Sequence, residues 1–157
     1  MLRFAAILSL ALTVGACTTD SVQVYEGPGK SAPLSSFSKG QIQLRHLDSV
    51  NALRVERGLR PLTLSAELNA AAATHARDMA QQRRAWNFGS DRSSPQSRAI
   101  RAGFVGVVRG ENVAESFLGE FYVLEAWLED RFSRAAIFDP QISHLGIGWY
   151  QEENGKV

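Results

Sequence analysis

Glu111 stands between Gly110 and Asn112 in a stretch rich in glycine and β-branched residues. A carboxylate in such a place could act as a general base or hold a metal if the surrounding cleft raises its pKa. Gly110 lets the backbone turn closely beside it, and Asn112 can tie down neighbouring main-chain groups. The plainer alternative is a structural carboxylate bonded to backbone amides. Ser133 invites a second chemistry, a hydroxyl nucleophile with a histidine base and an acidic orienter. The chain has three histidines, His46, His75 and His144. His75 falls on the apolar stripe of a helical segment, the place of a core histidine with its hydrogen bond satisfied. His46 reads as solvated on the first helix. His144, just ahead of the last strand-like run, is the one left near Ser133. No Gly-x-Ser-x-Gly elbow surrounds the serine, which speaks against a triad.

These groups must be positioned by a mixed set of elements. Leu44, Leu47, Val50 and Arg54 recur at three- and four-residue steps and predict one buried face of a first helix. Gly58 ends that helix, Pro61 prevents its resumption, and Arg54 braces it against the following loop. Ser65 is a natural N-cap for a second helix to about Arg84, with Leu68, Ala72, His75 and Met79 inward. Its run Ala70 to Ala73 favours helix and lets neighbours approach closely. Ser94-Pro95 opens a short third helix closed by Gly103. Arg83, Arg84, Arg98 and Arg101 read as solvated helix charges. Trp86 and Phe88 could line an aromatic cleft or simply fill the core.

Phe104 to Ala114 has β-like composition. A fourth helix is expected from Glu120 to Phe132, with Phe121, Leu124, Trp127 and Leu128 on one face. A short helical turn follows over Ser133 to Phe138, then a strand from Leu145 to Gln151. Asn154-Gly155 is a two-residue hairpin signal with only Lys156 and Val157 after it, so the last strand is expected to be missing, as in a fragment or truncated gene product.

With 157 residues, one domain is expected. An apolar content of 45% argues against disorder. There are 17 basic and 16 acidic residues, and Arg3 is the one charged residue before Cys17, so the remainder is formally neutral. Nucleic acid is not an expected partner of a neutral chain. Met1-Leu2-Arg3, the apolar run Phe4 to Val14 and Gly15-Ala16 make residues 1–16 a secretory signal peptide rather than a membrane span. Cys17 after Gly-Ala resembles a bacterial lipobox, which implies cleavage before Cys17, its lipidation and anchoring to the membrane through acyl chains. Thr18, rather than Asp, is similar to the sorting position of outer-membrane lipoproteins and implies that membrane, facing periplasm or exterior. Residues 17–36 then form the lipidated cysteine and a flexible tether rich in Thr, Ser, Gly and Pro. The domain occupies 37–157.

Two stretches carry a wider resemblance, Asn51-x-x-Arg54-x-x-x-Gly58-Leu59-x-Pro61-Leu62 and Gly110-Glu111-Asn112. Over about residues 40 to 151 the chain resembles the CAP superfamily (cysteine-rich secretory proteins, antigen 5 and pathogenesis-related proteins), in its bacterial SCP-like branch. The resemblance implies an α+β fold, an α-β-α sandwich with a small antiparallel sheet between helical layers. It also implies that Glu111 points into a central cleft. That family commonly sets two histidines there. In an ungapped match their positions read Asn87, within Ala85-Trp86-Asn87-Phe88, and Ser133, within Trp127-x-x-Asp130-x-x-Ser133. Asp130 takes a serine position, or that of a second cleft acid.

The implied cleft residues are therefore Asn87, Glu111, Asn112, Asp130 and Ser133. Amide and hydroxyl do not replace imidazole as zinc ligands, so no metal or other cofactor is expected. Ca²⁺ or Mg²⁺ could draw on Glu111, Asp130 and the Asn87 carbonyl oxygen, but that is a sparse ligand set. The family's activities are diverse, so the resemblance implies architecture and not a reaction. The expectation leans away from an enzyme. It is a lipid-anchored, extracytoplasmic binding or scaffold module of the bacterial envelope whose ligand is a lipid, a peptide or a cell-wall fragment. The alternative is a protease-like envelope hydrolase using Glu111 with Asp130, or Ser133 with His144.

Overall fold

The computed structural model of this protein describes residues 38–157, so the expected signal peptide, Cys17 and tether lie outside the described residues. Helix α1 (Lys39–Glu56) begins with a capping box that sequence inspection missed: the Ser38 hydroxyl accepts from Gln41 N, and Gln41 returns a bond to Ser38 N. Its buried residues are Ile42, His46, Val50 and Arg54, at successive four-residue steps. Leu44, expected inward, is 54% exposed. His46, expected in solvent, is buried instead, edge-on to Trp127. Burial pushes its imidazole down to about 4 against the opposing attraction of Glu120.

The Asn51-to-Leu62 stretch is a structural clamp. Asn51 Nδ2 donates to Leu62 O at 2.9 Å and Asn51 Oδ1 accepts from Leu62 N at 2.7 Å. Gly58 takes φ 71°, the left-handed region that ends the helix. Arg54 is fully buried and donates to Arg60 O, and also to Ile137 O and Asp139 O. It therefore braces the loop, as the sequence suggested, and also satisfies carbonyls at the end of a distant helix.

Strand β1 (Thr63–Leu64) leads into α2 (Ala66–Gln82), capped by Ser65, whose Oγ accepts from Leu68 N. Helix α3 (Pro95–Arg101) follows, capped by Ser94. The helix expected from Glu120 to Phe132 ends earlier, as α4 (Glu120–Glu129), and the short turn expected over Ser133 to Phe138 is α5 (Arg131–Ile137), because Asp130 adopts an extended conformation and caps the second. Strand β2 (His144–Leu145) pairs with β1.

That ladder is parallel, in the register Thr63 with His144 and Leu64 with Leu145, so the regular sheet among the described residues is not antiparallel. The β-like segments 104–114 and 146–151 are not strands. Side chains occupy part of their backbone instead: Gln96 bonds both Gly106 O and Val108 N, while Asn69 and Gln43 take Ile147 N and O. Helices still flank this middle layer. Gly148 lies so close to α2 that a Cβ there would collide with the Ala73 backbone. The Ala70–Ala73 run permits this approach. On the other side, Val50, Leu62, Leu124 and Ile137 form a buried core with Trp127, Leu128 and Leu145 packed on it. The fold is thus α+β, as expected.

At the C-terminal end Gly155 N donates to Glu152 O and Glu152 N to Lys156 O. Gly155, at φ 91°, closes a three-residue hairpin loop rather than the expected two-residue turn. Ser116 and Val157 exchange both backbone hydrogen bonds, at 2.9 and 2.8 Å, the geometry of an antiparallel pair. Among the described residues no helix is long and apolar enough to cross a membrane.

Candidate functional site

Four of the five expected cleft residues, Asn87, Glu111, Asn112 and Ser133, line one cavity of about 460 Å³. The loop after α2 supplies Asn87, the segment before α4 supplies Glu111 and Asn112, and α5 supplies Ser133. Gly110 explains how these approach one another: a Cβ there would stand 2.7 Å from Ala136 Cβ on α5. Asn112 Nδ2 then donates to Ser133 O at 3.0 Å, fastening the same segment to the same helix. A second, mostly apolar cavity of about 540 Å³ lies between segments 104–112 and 143–148 and also reaches Glu111.

Glu111 is held by two donors through a single carboxylate oxygen. Arg98 Nη2 donates to Oε2 at 2.6 Å and Asn87 Nδ2 donates to it at 3.2 Å. His75 Nε2 stands 3.9 Å from the same atom. Asn87 Nδ2 also bonds Glu111 O at 2.8 Å, and Arg98 also bonds the carbonyls of Asn87 and Ser93. Arg98 is buried, which corrects its reading as a solvated charge. Burying a guanidinium is tolerable here because a carboxylate and two carbonyls receive it. No local signal announces this, since in Pro95–Arg101 the apolar Ile100 is 59% exposed while Arg98 is inside. Arg101, by contrast, is an exposed partner of Asp91 at 2.7 Å.

His75 is the core histidine that was expected. It is buried, with Nε2 2.8 Å from Trp86 O. Arg83 and Arg84 are exposed, Arg84 lying over the Trp86 ring. Trp86 tilts against Phe88 at 5.5 Å between centroids, and neither residue lines the two cavities.

Asp130 is not brought to Glu111. Its carboxylate turns to the start of α5 and accepts from Ser133 N at 2.6 Å, and that bond holds its carboxyl below the usual carboxylate range. Asp130 does not line the cavity. His144 lines the other cavity, hydrogen-bonds Ser143 Oγ at 2.9 Å and packs edge-on to Phe104. Ser133 and His144 share no hydrogen bond.

The donor chemistry does not fit a cation. Asn87 turns its amide N–H, not its oxygen, toward Glu111, and its main-chain oxygen accepts from Arg98. A guanidinium sits where a metal would need to approach Oε2, and Asp130 is engaged elsewhere. Among the described residues no three His, Cys, Asp or Glu side chains cluster as metal ligands.

A family model described as the cysteine-rich secretory protein family, CAP, matches residues 47–157. Uncharacterized protein YkwD of Bacillus subtilis (strain 168) is 27% identical over 129 residues, which are 81% of this chain and 48% of the relative. This chain therefore spans about half the length of that relative. An extracellular protein containing an SCP domain from Bacillus anthracis str. Ames has a TM-score of 0.68 at 21% identity, over 72% of this chain and 38% of that one. An outer surface protein from Borrelia burgdorferi has a TM-score of 0.54 at 14% identity, over 70% of this chain and 81% of that one. At such identities the structural likeness speaks to fold alone.

Proposed function

This chain belongs to the cysteine-rich secretory protein (CAP) family, and from that premise we propose a lipid-anchored, extracytoplasmic binding module whose cleft is metal-free and non-catalytic. One observation carries this reading: Glu111 Oε2 is taken by Arg98 and Asn87, at 2.6 and 3.2 Å. A working general base sits within reach of the proton it takes, commonly in surroundings that raise its affinity for it. Glu111 is instead paired with a guanidinium, as a carboxylate that organises its cleft would be. Asn87 and Ser133 at the histidine positions remove the imidazoles that a zinc site or a histidine base would use. The signal-like start and Cys17 support anchoring to the bacterial envelope, at the outer membrane by the cue of Thr18. The ligand is a lipid, a peptide or a cell-wall fragment.

The test is turnover. The purified chain and its Glu111→Gln variant are compared on peptide and ester substrates, with the melting temperature of each recorded. A binding module shows no turnover that depends on Glu111. Turnover that disappears in the variant without loss of folding would assign a hydrolase.

A further inference from the structure

The atoms left over in the cleft narrow the ligand's chemistry. Every contact to the Glu111 carboxylate uses Oε2, and Oε1 has no hydrogen bond among the described residues. Asn87 faces two oxygens of Glu111, so its amide N–H must be the group on that side, and Oδ1 is left over. Asn112 spends one Nδ2 hydrogen on Ser133 O and keeps the other, together with Oδ1. The unused polar groups on these three lining residues are thus three acceptor oxygens and one amide N–H. They call for a ligand whose polar groups chiefly donate and can also accept, as hydroxyls do.

Charges on the cavity wall are paired, Glu111 with Arg98 and Arg109 with Asp139 at 2.6 Å each, while Arg131 lies beside the wall with its guanidinium 6.0 Å from the Phe132 ring centroid. The paired wall charges themselves favour neither a cation nor an anion. Phe132, also on the cavity wall, is 80% exposed and offers a flat apolar face to solvent. An acyl chain would match that ring but would cover the acceptors and leave them without partners, at a cost in free energy. A pyranose ring matches both, with an apolar C–H face for the phenyl and hydroxyls around its edge.

Resting on the binding-module reading above, we infer that this cleft takes a neutral, hydroxyl-rich oligosaccharide, one ring stacked on Phe132 and its hydroxyls donating to Glu111 Oε1, Asn87 Oδ1 and Asn112 Oδ1. The experiment titrates the full chain calorimetrically with two neutral tetrasaccharides, tetra-N-acetylchitotetraose and maltotetraose, and with palmitate as the acyl probe. Phe132→Ala removes an exposed ring and leaves the core intact. Val105→Ala, at a position 97% exposed and outside this cavity, is the control. The expected result is saturable binding of at least one tetrasaccharide, weakened roughly tenfold by Phe132→Ala and unchanged by Val105→Ala. Failure of both sugars to bind, or binding indifferent to Phe132, overturns the glycan assignment. Palmitate binding in place of the sugars overturns it too, but leaves a binding module. Release of new reducing ends from a bound tetrasaccharide would keep the glycan and end the non-catalytic reading.

Discussion

Arg98 and Glu111 form the pair on which the cleft depends. Arg98 is buried and Glu111 keeps 21% of its side chain exposed. Arg98→Met removes the cation and orphans the Asn87 and Ser93 carbonyls. We expect a loss of about 3 kcal/mol in a urea titration, since breaking a buried pair strands the remaining charge. Combining it with Glu111→Leu should cost less than the sum of the single changes, because each removes the same contact. Additive losses would mean that the two side chains are not coupled.

His46 sets a second expectation. Unfolded, its imidazole titrates at the ordinary 6.5; folded, burial holds it at about 4. Between those values the unfolded chain binds the extra proton, so stability is full above pH ~6.5 and falls as pH drops toward ~4, by up to about 3 kcal/mol. Urea midpoints at pH ~7.5 and ~4.5 measure this, and His46→Phe should flatten the difference. The place of Glu111 on the cavity wall was legible through the family resemblance that Gly-Glu-Asn helps to carry. Arg98 and His46 were not, since each lies on a helix whose hydropathy points the other way: Leu44 and Ile100 are exposed while the charged or polar neighbour is inside.

At the scale of elements, helices were the legible part. Gly58, Ser65 and Ser94-Pro95 marked their ends through backbone chemistry that is local. The boundary between α4 and α5 was expected at Phe132 and falls at Asp130, because Asp is tolerated in a helix interior as well as at a cap, and only the extended backbone at Asp130 decides between them. The β-like segments were misread for a different reason. Their composition suits strands, but part of their backbone is bonded to Gln96, Asn69 and Gln43 from distant helices, which no local pattern encodes. The close packing of segment 146–148 on α2 yields a direct test. Gly148→Ala forces a methyl against the Ala73 backbone and should cost about 2 kcal/mol or more in thermal or urea unfolding. A neutral substitution would show that the middle layer is free to move off α2.

For the molecule as a whole, the family assignment supplies a scaffold, and the cleft's side chains decide what that scaffold can hold. Arg98 neutralises Glu111, and the carboxylate of Asp130 is engaged in capping α5. Anchoring is a separate property. Cys17→Ala should release the expressed full chain from membrane pellets into the soluble fraction, and retention of the variant would remove the lipid anchor from the account.

The most direct measurement is a calorimetric zinc titration of the chelator-treated full chain, backed by elemental analysis. The structure predicts no stoichiometric zinc, because Asn87 and Ser133 offer no imidazole and Arg98 covers the carboxylate oxygen a metal would use. Tight binding of one zinc per chain, abolished by Glu111→Gln, would contradict the metal-free cleft and reopen the hydrolase.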